Sequence, residues 1–301
     1  MPSMPAATAF DFGGWMRAQL AQVEQGLSRW VRRDAPAGLG EAMRYAVLDG
    51  GKRLRPLLVL AACDAVGGHP EAALRAACAV ELIHAYSLVH DDMPCMDNDV
   101  LRRGKPTVHV RFGEAQALLA GDALQALAFE LLAPEDGVPP AMQARLCRLL
   151  AQAAGADGMA GGQAIDLASV GLRLSEDDLR HMHRLKTGAL LRASVVMGAA
   201  CGQAGAQAQQ ALAQYGAAIG LAFQVVDDVL DVTQDSATLG KTAGKDAASD
   251  KPTYVSLMGL AAAQAHAEEL RAQAHAALAA SGLQDTRALA ALADMVVRRS
   301  H

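Results

Sequence analysis

Aromatic residues make up only 4% of the 301-residue chain, and isoleucine occurs three times, as Ile83, Ile165 and Ile219. A β-rich fold needs β-branched and aromatic side chains to cover its pleated faces, so this shortage favours helices. The five cysteines (Cys63, Cys78, Cys95, Cys147, Cys201) are odd in number and form no C-x-x-C pair. That argues against a disulfide framework or a zinc site and fits small buried hydrophobes in a reducing cytoplasm. The opening MPSMPAATAFDFGGW has neither the basic start nor the apolar run of a secretory leader. Apolar stretches such as 115–129 are broken by Gln116, Asp122 and Gln125, so no membrane span of about 20 clean apolar residues is expected. The 27 Lys+Arg against 32 Asp+Glu leave a net charge of −5, which argues against general nucleic-acid affinity.

What is present is an apolar, helix-forming chain: 52% hydrophobic, 20% charged, and long enough to bury a sizeable core. Apolar residues recur at three- and four-residue spacing almost throughout, and period-2 alternation is missing. Helices are expected near 15–33, 39–48, 53–67, 70–93, 114–132, 139–168, 175–201, 206–231, 254–280 and 284–299. Breakers such as Gly67-Gly68, Pro134, Pro139-Pro140 and Gly171 separate them. Ser175 with Asp178 forms an N-terminal capping pair. No linker divides the chain, so residues 1–301 are expected to form a single all-α domain.

Two polar interruptions, 97–107 and 233–253, each follow an acidic helix end and are themselves rich in Lys, Arg and Gly. Asp91, Asp92 and Asp97 close one apolar helix; Asp227, Asp228 and Asp231 close another. Asp227 and Asp231 are four apart and share a helix face, where like charges repel. Asp91 and Asp97 lie about 240° apart on a regular helix, but Pro94 ends the helix and lets the chain turn Asp97 back toward Asp91. Carboxylates at a helix C-terminus also oppose the dipole. Hard oxygen ligands of this kind suit Mg²⁺, which binds through one or two carboxylates plus substrate phosphates. Neither cluster has the pattern of a calcium loop.

Cations accompany the acids. Gly50-Gly51-Lys52-Arg53-Leu54-Arg55-Pro56 places Lys52 and Arg55 on one face of a starting helix behind exposed backbone amides, a ready anion site. Arg102-Arg103-Gly104-Lys105 follows Asp97, and Lys186-Thr187, Lys241, Lys245 and Lys251 add further charge. A P-loop and a dinucleotide fingerprint are both missing. Paired acidic metal sites, basic anion sites and apolar helix walls together suit a substrate with a diphosphate head and a hydrocarbon tail. Ionising such a substrate calls for cations around the leaving group and a dry pocket.

GGKRLRP, ELIHAYSLVHDDMPCMDNDVLRRGKPTVHVRFGEAQALLAGDALQ, GMAGGQAIDL, HRLKTGALLRA, GLAFQVVDDVLDVT and LGKTAGKDAASDKPTY run in order from about Tyr45 to Tyr254. The chain thereby resembles the trans-isoprenyl diphosphate synthases, most of all the short-chain bacterial farnesyl diphosphate synthases. The resemblance implies a bundle of ten or more helices around a deep cavity, usually homodimeric. It implies Mg²⁺ (three ions with substrate bound, or Mn²⁺) held by Asp91, Asp92, Asp97, Asp227, Asp228 and Asp231. It places Arg102, Lys186, Lys241, Gln224 and Lys251 on the allylic diphosphate. Gly51, Lys52, Arg55, His84 and Arg103 fall on isopentenyl diphosphate, and Thr187 beside the developing cation. The implied reaction is ionisation of dimethylallyl diphosphate, attack by isopentenyl diphosphate and loss of a proton, repeated once to give farnesyl diphosphate.

The growing tail is expected to run along the helix that bears Asp91, toward its N-terminus. Five residues back, about 7.5 Å along the axis, Tyr86 with Ser87 beside it would floor the cavity near C15. Gln163 and Asp166 are expected on the cavity wall, Asp166 pairing a lysine. Cys95, Met96 and Asn98 fill positions where relatives often carry Ala and further Asp. The rivals are a geranylgeranyl or longer-chain synthase, discriminated by Tyr86; a terpene cyclase, whose second metal motif DDVLD does not match; and a non-catalytic subunit, in which one aspartate cluster is usually degraded.

Overall fold

The computed structural model describes residues 10–48, 50–172, 174–233 and 253–299. Lys241, Lys245 and Lys251 lie outside the described residues. Helices account for nearly all of the regular structure. They are α1 (Phe12–Trp30), α2 (Leu39–Val47), α3 (Leu54–Ala65), α4 (Pro70–Asp91), α5 (Val108–Phe112), α6 (Glu114–Leu132), α7 (Pro140–Ala154) and α8 (Met159–Ala168). After α9 (Glu176–His183) a π-helical turn, Arg184–Gly188, leads into α10 (Ala189–Ala200), then α11 (Ala206–Thr233), α12 (Tyr254–Met258), α13 (Leu260–Ala280) and α14 (Arg287–Arg298).

Local chemistry sets several ends. Asp11 accepts from the Gly14 N–H at 2.8 Å to start α1, and Ser175 Oγ accepts from the Asp178 N–H at 3.2 Å to start α9, as its spacing predicts. Pro70 opens α4, where its missing N–H costs nothing. One core forms around α4, α6, α2 and α7, with Val80, Leu82, Ile83, Leu124 and Leu150 fully buried. A second forms around α3, α10, α11, α13 and α14, with Leu57, Leu191, Tyr215, Ile219 and Leu292. The α3–α10 and α3–α4 contacts tie the two cores together.

The structure departs from the sequence reading in six places. The stretch 139–168 is two helices, because Gly158 turns tightly enough that a Cβ there would meet the Ala153 carbonyl oxygen at 2.2 Å. The stretch 254–280 breaks at Gly259, which adopts φ 83°. The stretch 175–201 carries the π turn, and α5 adds a short helix that the apolar pattern leaves out. Strands, thought missing, occur as a minimal hairpin: β1 (Leu101–Arg102) pairs antiparallel with β2 (Lys105–Pro106). Its two central residues have positive φ, Arg103 at 53° and Gly104 at 75°, the geometry that matches strand twist. Finally, α4 and α6 do reach the length and apolarity of a membrane span, but 67% of that window in α4 is buried inside the protein.

Candidate active site

The first acidic cluster sits where α4 stops. Beyond Asp91 the chain doubles back at Pro94, and the Asp97 N–H donates to the Asp91 carbonyl at 2.8 Å. Asp97 therefore lies beside Asp91 despite the unfavourable helical angle. Burial pushes the Asp91 carboxyl up to about 6, against the pull of the Lys186 ammonium, and Asp97 adds like charge. Asp92 points elsewhere. Its buried carboxylate takes Arg102 Nε at 2.9 and 3.0 Å and Nη2 at 2.6 Å. In this state Asp92 holds Arg102, where the resemblance put Asp92 on metal and Arg102 on diphosphate.

The hairpin that carries Arg102 also throws Arg103 across to the glycines before α3. Arg103 Nη1 donates to the Gly50 carbonyl at 2.5 Å. Gly51, at φ 136°, leaves room for it, since a Cβ there would lie 2.9 Å from Arg103 Nη1. Arg103, Lys52, Arg55 and His84 thus gather at one edge. Burial and the guanidiniums of Arg55, Arg103, Arg102 and Arg53 push the His84 imidazole well below its ordinary value, so it is neutral. Burial also lowers Lys52, with Arg299 adding to the effect. The Arg55 Nε is buried with no hydrogen-bond partner. Such a cationic edge, exposed at Lys52 and Arg103 and partly desolvated at Arg55, suits an anion.

Arg53, which the sequence reading passed over, does different work. It adopts φ 46° and reaches Glu24 at 2.7 Å, Glu81 at 2.6 Å and the Val47 carbonyl at 2.6 Å. These three bonds lock α1, α2 and α4 around the start of α3 and so fix where Lys52 and Arg55 stand.

The π turn supplies the opposite wall. Lys186 Nζ donates to the buried Asp166 Oδ2 at 2.6 Å, the lysine pairing that the sequence reading assigned to Asp166. Thr187 Oγ1 donates to Gln224 Oε1 at 3.2 Å, and Gln224 Nε2 donates to Asp228 Oδ1 at 2.8 Å. Asp228 Oδ2 accepts the Tyr254 N–H at 2.8 Å, so this buried residue anchors the start of α12. Asp231 is buried too. Asp227, more exposed, takes Arg299 Nη2 at 2.6 Å. Arg299, another residue the sequence reading missed, gives no local signal, because the contact spans 72 positions.

Between these walls lies a cavity of about 380 Å³ lined by Arg55, His84, Tyr86, Ser87, Asp91 and Gln163, with Lys186 and Thr187 at its side. Both amide atoms of Gln163 are buried without a partner. Tyr86 packs edge-on against His90 at 5.7 Å, and His90 Nε2 meets the Leu118 carbonyl at 3.1 Å. Arg55 lines this cavity and is also coupled electrostatically to Asp227, so the two acidic clusters have a common neighbour. Among the described residues no three His, Cys, Asp or Glu side chains stand close enough to hold an ion alone. Burial and the like charge of Asp97 raise the Asp91 carboxyl, so an added cation there would favour its charged form.

A largely apolar cavity with Asp91 from the end of α4, Arg55 and Lys186 in its lining, and the α11 carboxylates outside it, suits an enzyme that handles an anionic head on a hydrocarbon tail. Residues 36–291 match the polyprenyl synthetase family model, and the chain belongs to that family of prenyltransferases. It is 52% identical over 293 residues to a probable farnesyl diphosphate synthase of Sinorhizobium fredii, covering 95% of this chain and 86% of that one. It is 46% identical to the heterodimeric geranylgeranyl pyrophosphate synthase large subunit 1 of Arabidopsis thaliana, covering 98% and 81%. An apo crystal structure of an FPP/GFPP synthase from Zymomonas mobilis superposes with a TM-score of 0.85 at 42% identity, covering 95% and 99%.

Proposed function

We propose that this chain condenses isopentenyl diphosphate with dimethylallyl and then geranyl diphosphate to give (2E,6E)-farnesyl diphosphate. The observation that carries the reading is the cavity whose lining brings Asp91, Lys186 and Thr187 together with Tyr86 and Ser87 of α4. Asp91, Asp97 and Asp227 would hold Mg²⁺, or Mn²⁺, which when bound neutralises charge on the leaving diphosphate. Asp92 orients Arg102, and Asp228 orients Gln224 and the start of α12. Lys186 binds the allylic diphosphate, with Arg102 and Gln224 near it. Lys52, Arg55, Arg103 and neutral His84 receive isopentenyl diphosphate.

Once the allylic C–O bond breaks, Thr187 Oγ1 and Gln224 lie where oxygen lone pairs stabilise the cation. The isopentenyl double bond then forms the new C–C bond, and the proton lost from the adjacent carbon passes to the departed diphosphate. The apolar wall keeps water from the cation. Tyr86 ends the tail's path.

A homodimer is part of this reading. The outer surface of α5 and α6 leaves Val110, Leu118 and Leu119 about half exposed (49%, 47% and 53%), an apolar face that a second copy would cover. The free cysteines fit a cytoplasmic setting.

Because relatives include a geranylgeranyl synthase subunit, the test must size the product. Incubation with radiolabelled isopentenyl diphosphate, geranyl diphosphate and Mg²⁺, followed by chromatography of the dephosphorylated alcohols, is expected to give C15. A dominant C20 or longer product overturns the chain-length assignment, and no labelled prenyl product overturns the reaction.

A further inference from the structure

The reaction cavity is not the largest hollow in the molecule. A groove of about 970 Å³ runs over α11, between the α9–α10 side and α13. Its floor and far wall are mostly small or apolar, among them Ala217, Leu221 and Leu270, with the amides of Gln214 and Gln273 interspersed. Along α13 it extends from Leu270 to Ala280, about 15 Å. The near wall carries Arg180, Arg184 and Arg192, one and then two further helical turns apart, so their guanidiniums form a row along one edge.

Against this row the lining offers one carboxylate, Asp157. Arg180 is held by Glu176 at 2.7 Å in an exposed pair, and Arg184 by His181 Nδ1 at 2.8 Å. Arg192 forms no ion pair with any described residue. Inorganic phosphate would leave the alanine floor unused, and a neutral lipid would leave the guanidiniums unused. A single hydrocarbon chain with an anionic head uses both.

The groove and the reaction cavity share a wall. Arg184, Leu185 and Gly188 of the π turn face the groove, while Lys186 and Thr187 of the same five residues face the reaction cavity. The turn is clamped on its other sides. A Cβ at Gly162 would sit 2.1 Å from the Lys186 nitrogen, and one at Gly220 2.9 Å from the Gly188 Cα. A ligand pressing on the turn from the groove would therefore bear on Lys186 and Thr187.

We propose that this groove binds a single-chain anionic amphiphile, either a long-chain carboxylate or a prenyl monophosphate, and that its occupation slows prenyl transfer by displacing the π turn. The binding half stands on the groove alone; the kinetic half rests on the function proposed above.

Equilibrium dialysis of the full chain against labelled palmitate and, separately, farnesyl monophosphate, below their micellar concentrations and without Mg²⁺, tests the first half. One equivalent is expected to bind and to stay bound when inorganic diphosphate and Mg²⁺ are added. Arg192→Glu and Ala217→Trp, both at exposed positions, are expected to weaken binding by about tenfold or more. Retention of one probe and not the other identifies the source of the chain. Failure of both probes to bind, displacement by inorganic diphosphate, or unchanged binding in both folded variants overturns the site. For the second half, the bound probe is expected to lower kcat with little change in KM, and Ala217→Trp to remove that effect. Binding with no change in kcat overturns the coupling while leaving the reaction itself intact.

Discussion

Arg299 holds Asp227. Its Nη2 lies 2.6 Å from Asp227 Oδ1 and 2.8 Å from the Phe223 carbonyl, and its guanidinium sits 4.1 Å over the Phe223 ring. The last turn of the described chain thereby neutralises the carboxylate best placed in the second acidic cluster to meet a metal ion. Under the function proposed above, a metal ion at Asp227 would compete with Arg299 for that oxygen.

Arg299→Ala is therefore expected to tighten Mn²⁺ binding by about fivefold, because a half-open ion pair is worth about 1 kcal/mol. Electron paramagnetic resonance titration without substrate measures this directly. Identical Mn²⁺ affinity in the variant would show that the arginine and the metal do not share Asp227.

Tyr86→Ala removes a ring from the cavity lining and is expected to shift the product from C15 to C20 or longer. Product chromatography decides it. A variant that still makes only C15 removes Tyr86 as the floor.

Gly162→Ala places a methyl group where the Lys186 nitrogen now passes. The π turn must move, and a misplacement on the order of 1 Å costs about 100-fold in rate. The expected result is a fall in kcat of that order, with far-ultraviolet circular dichroism unchanged. Normal turnover would mean that the turn is not what positions Lys186.

Buried His183, facing Tyr254 at 5.5 Å, is pushed down to about 4 by burial, with Lys186 adding to the effect. Its unfolded value is near 6.5, so as pH falls the unfolded chain takes the proton first. Stability is lost between about pH 6.5 and 4, by at most about 3 kcal/mol. Urea midpoints across that range are expected to flatten in His183→Leu; an unchanged slope would place the titration elsewhere.

Arg53→Ala leaves Glu81 buried and alone, with Arg53 and Glu81 side chains only 2% and 5% exposed. Losing one partner of a buried pair costs about 3–5 kcal/mol. Denaturant titration is expected to register that loss, and Arg53→Lys most of it, because an ammonium cannot reach Glu24, Glu81 and the Val47 carbonyl together.

Much of this architecture is legible from residue order. Helix-forming composition with apolar spacing of three and four gives the helices, and Pro94 after Asp91 gives the turn that returns Asp97. The hairpin at 101–106 escapes such reading because two-residue strands have no periodicity to detect. The π turn escapes it because one extra residue in a helix barely disturbs an alanine- and leucine-rich pattern.

What residue order alone determined was which chemistry the chain can hold: two carboxylate clusters at helix ends, and cations within a few positions of the first. What only the tertiary structure decided was how those charges are shared out. Asp92 is spent on Arg102, Asp228 on Gln224 and Tyr254, and Asp227 on Arg299, while the Asp91 carboxyl, raised by burial, is left facing the Lys186 ammonium. The reason is range. Helical periodicity acts over a few residues, whereas an ion pair forms between whichever charges packing brings within about 4 Å, however far apart they stand in the chain.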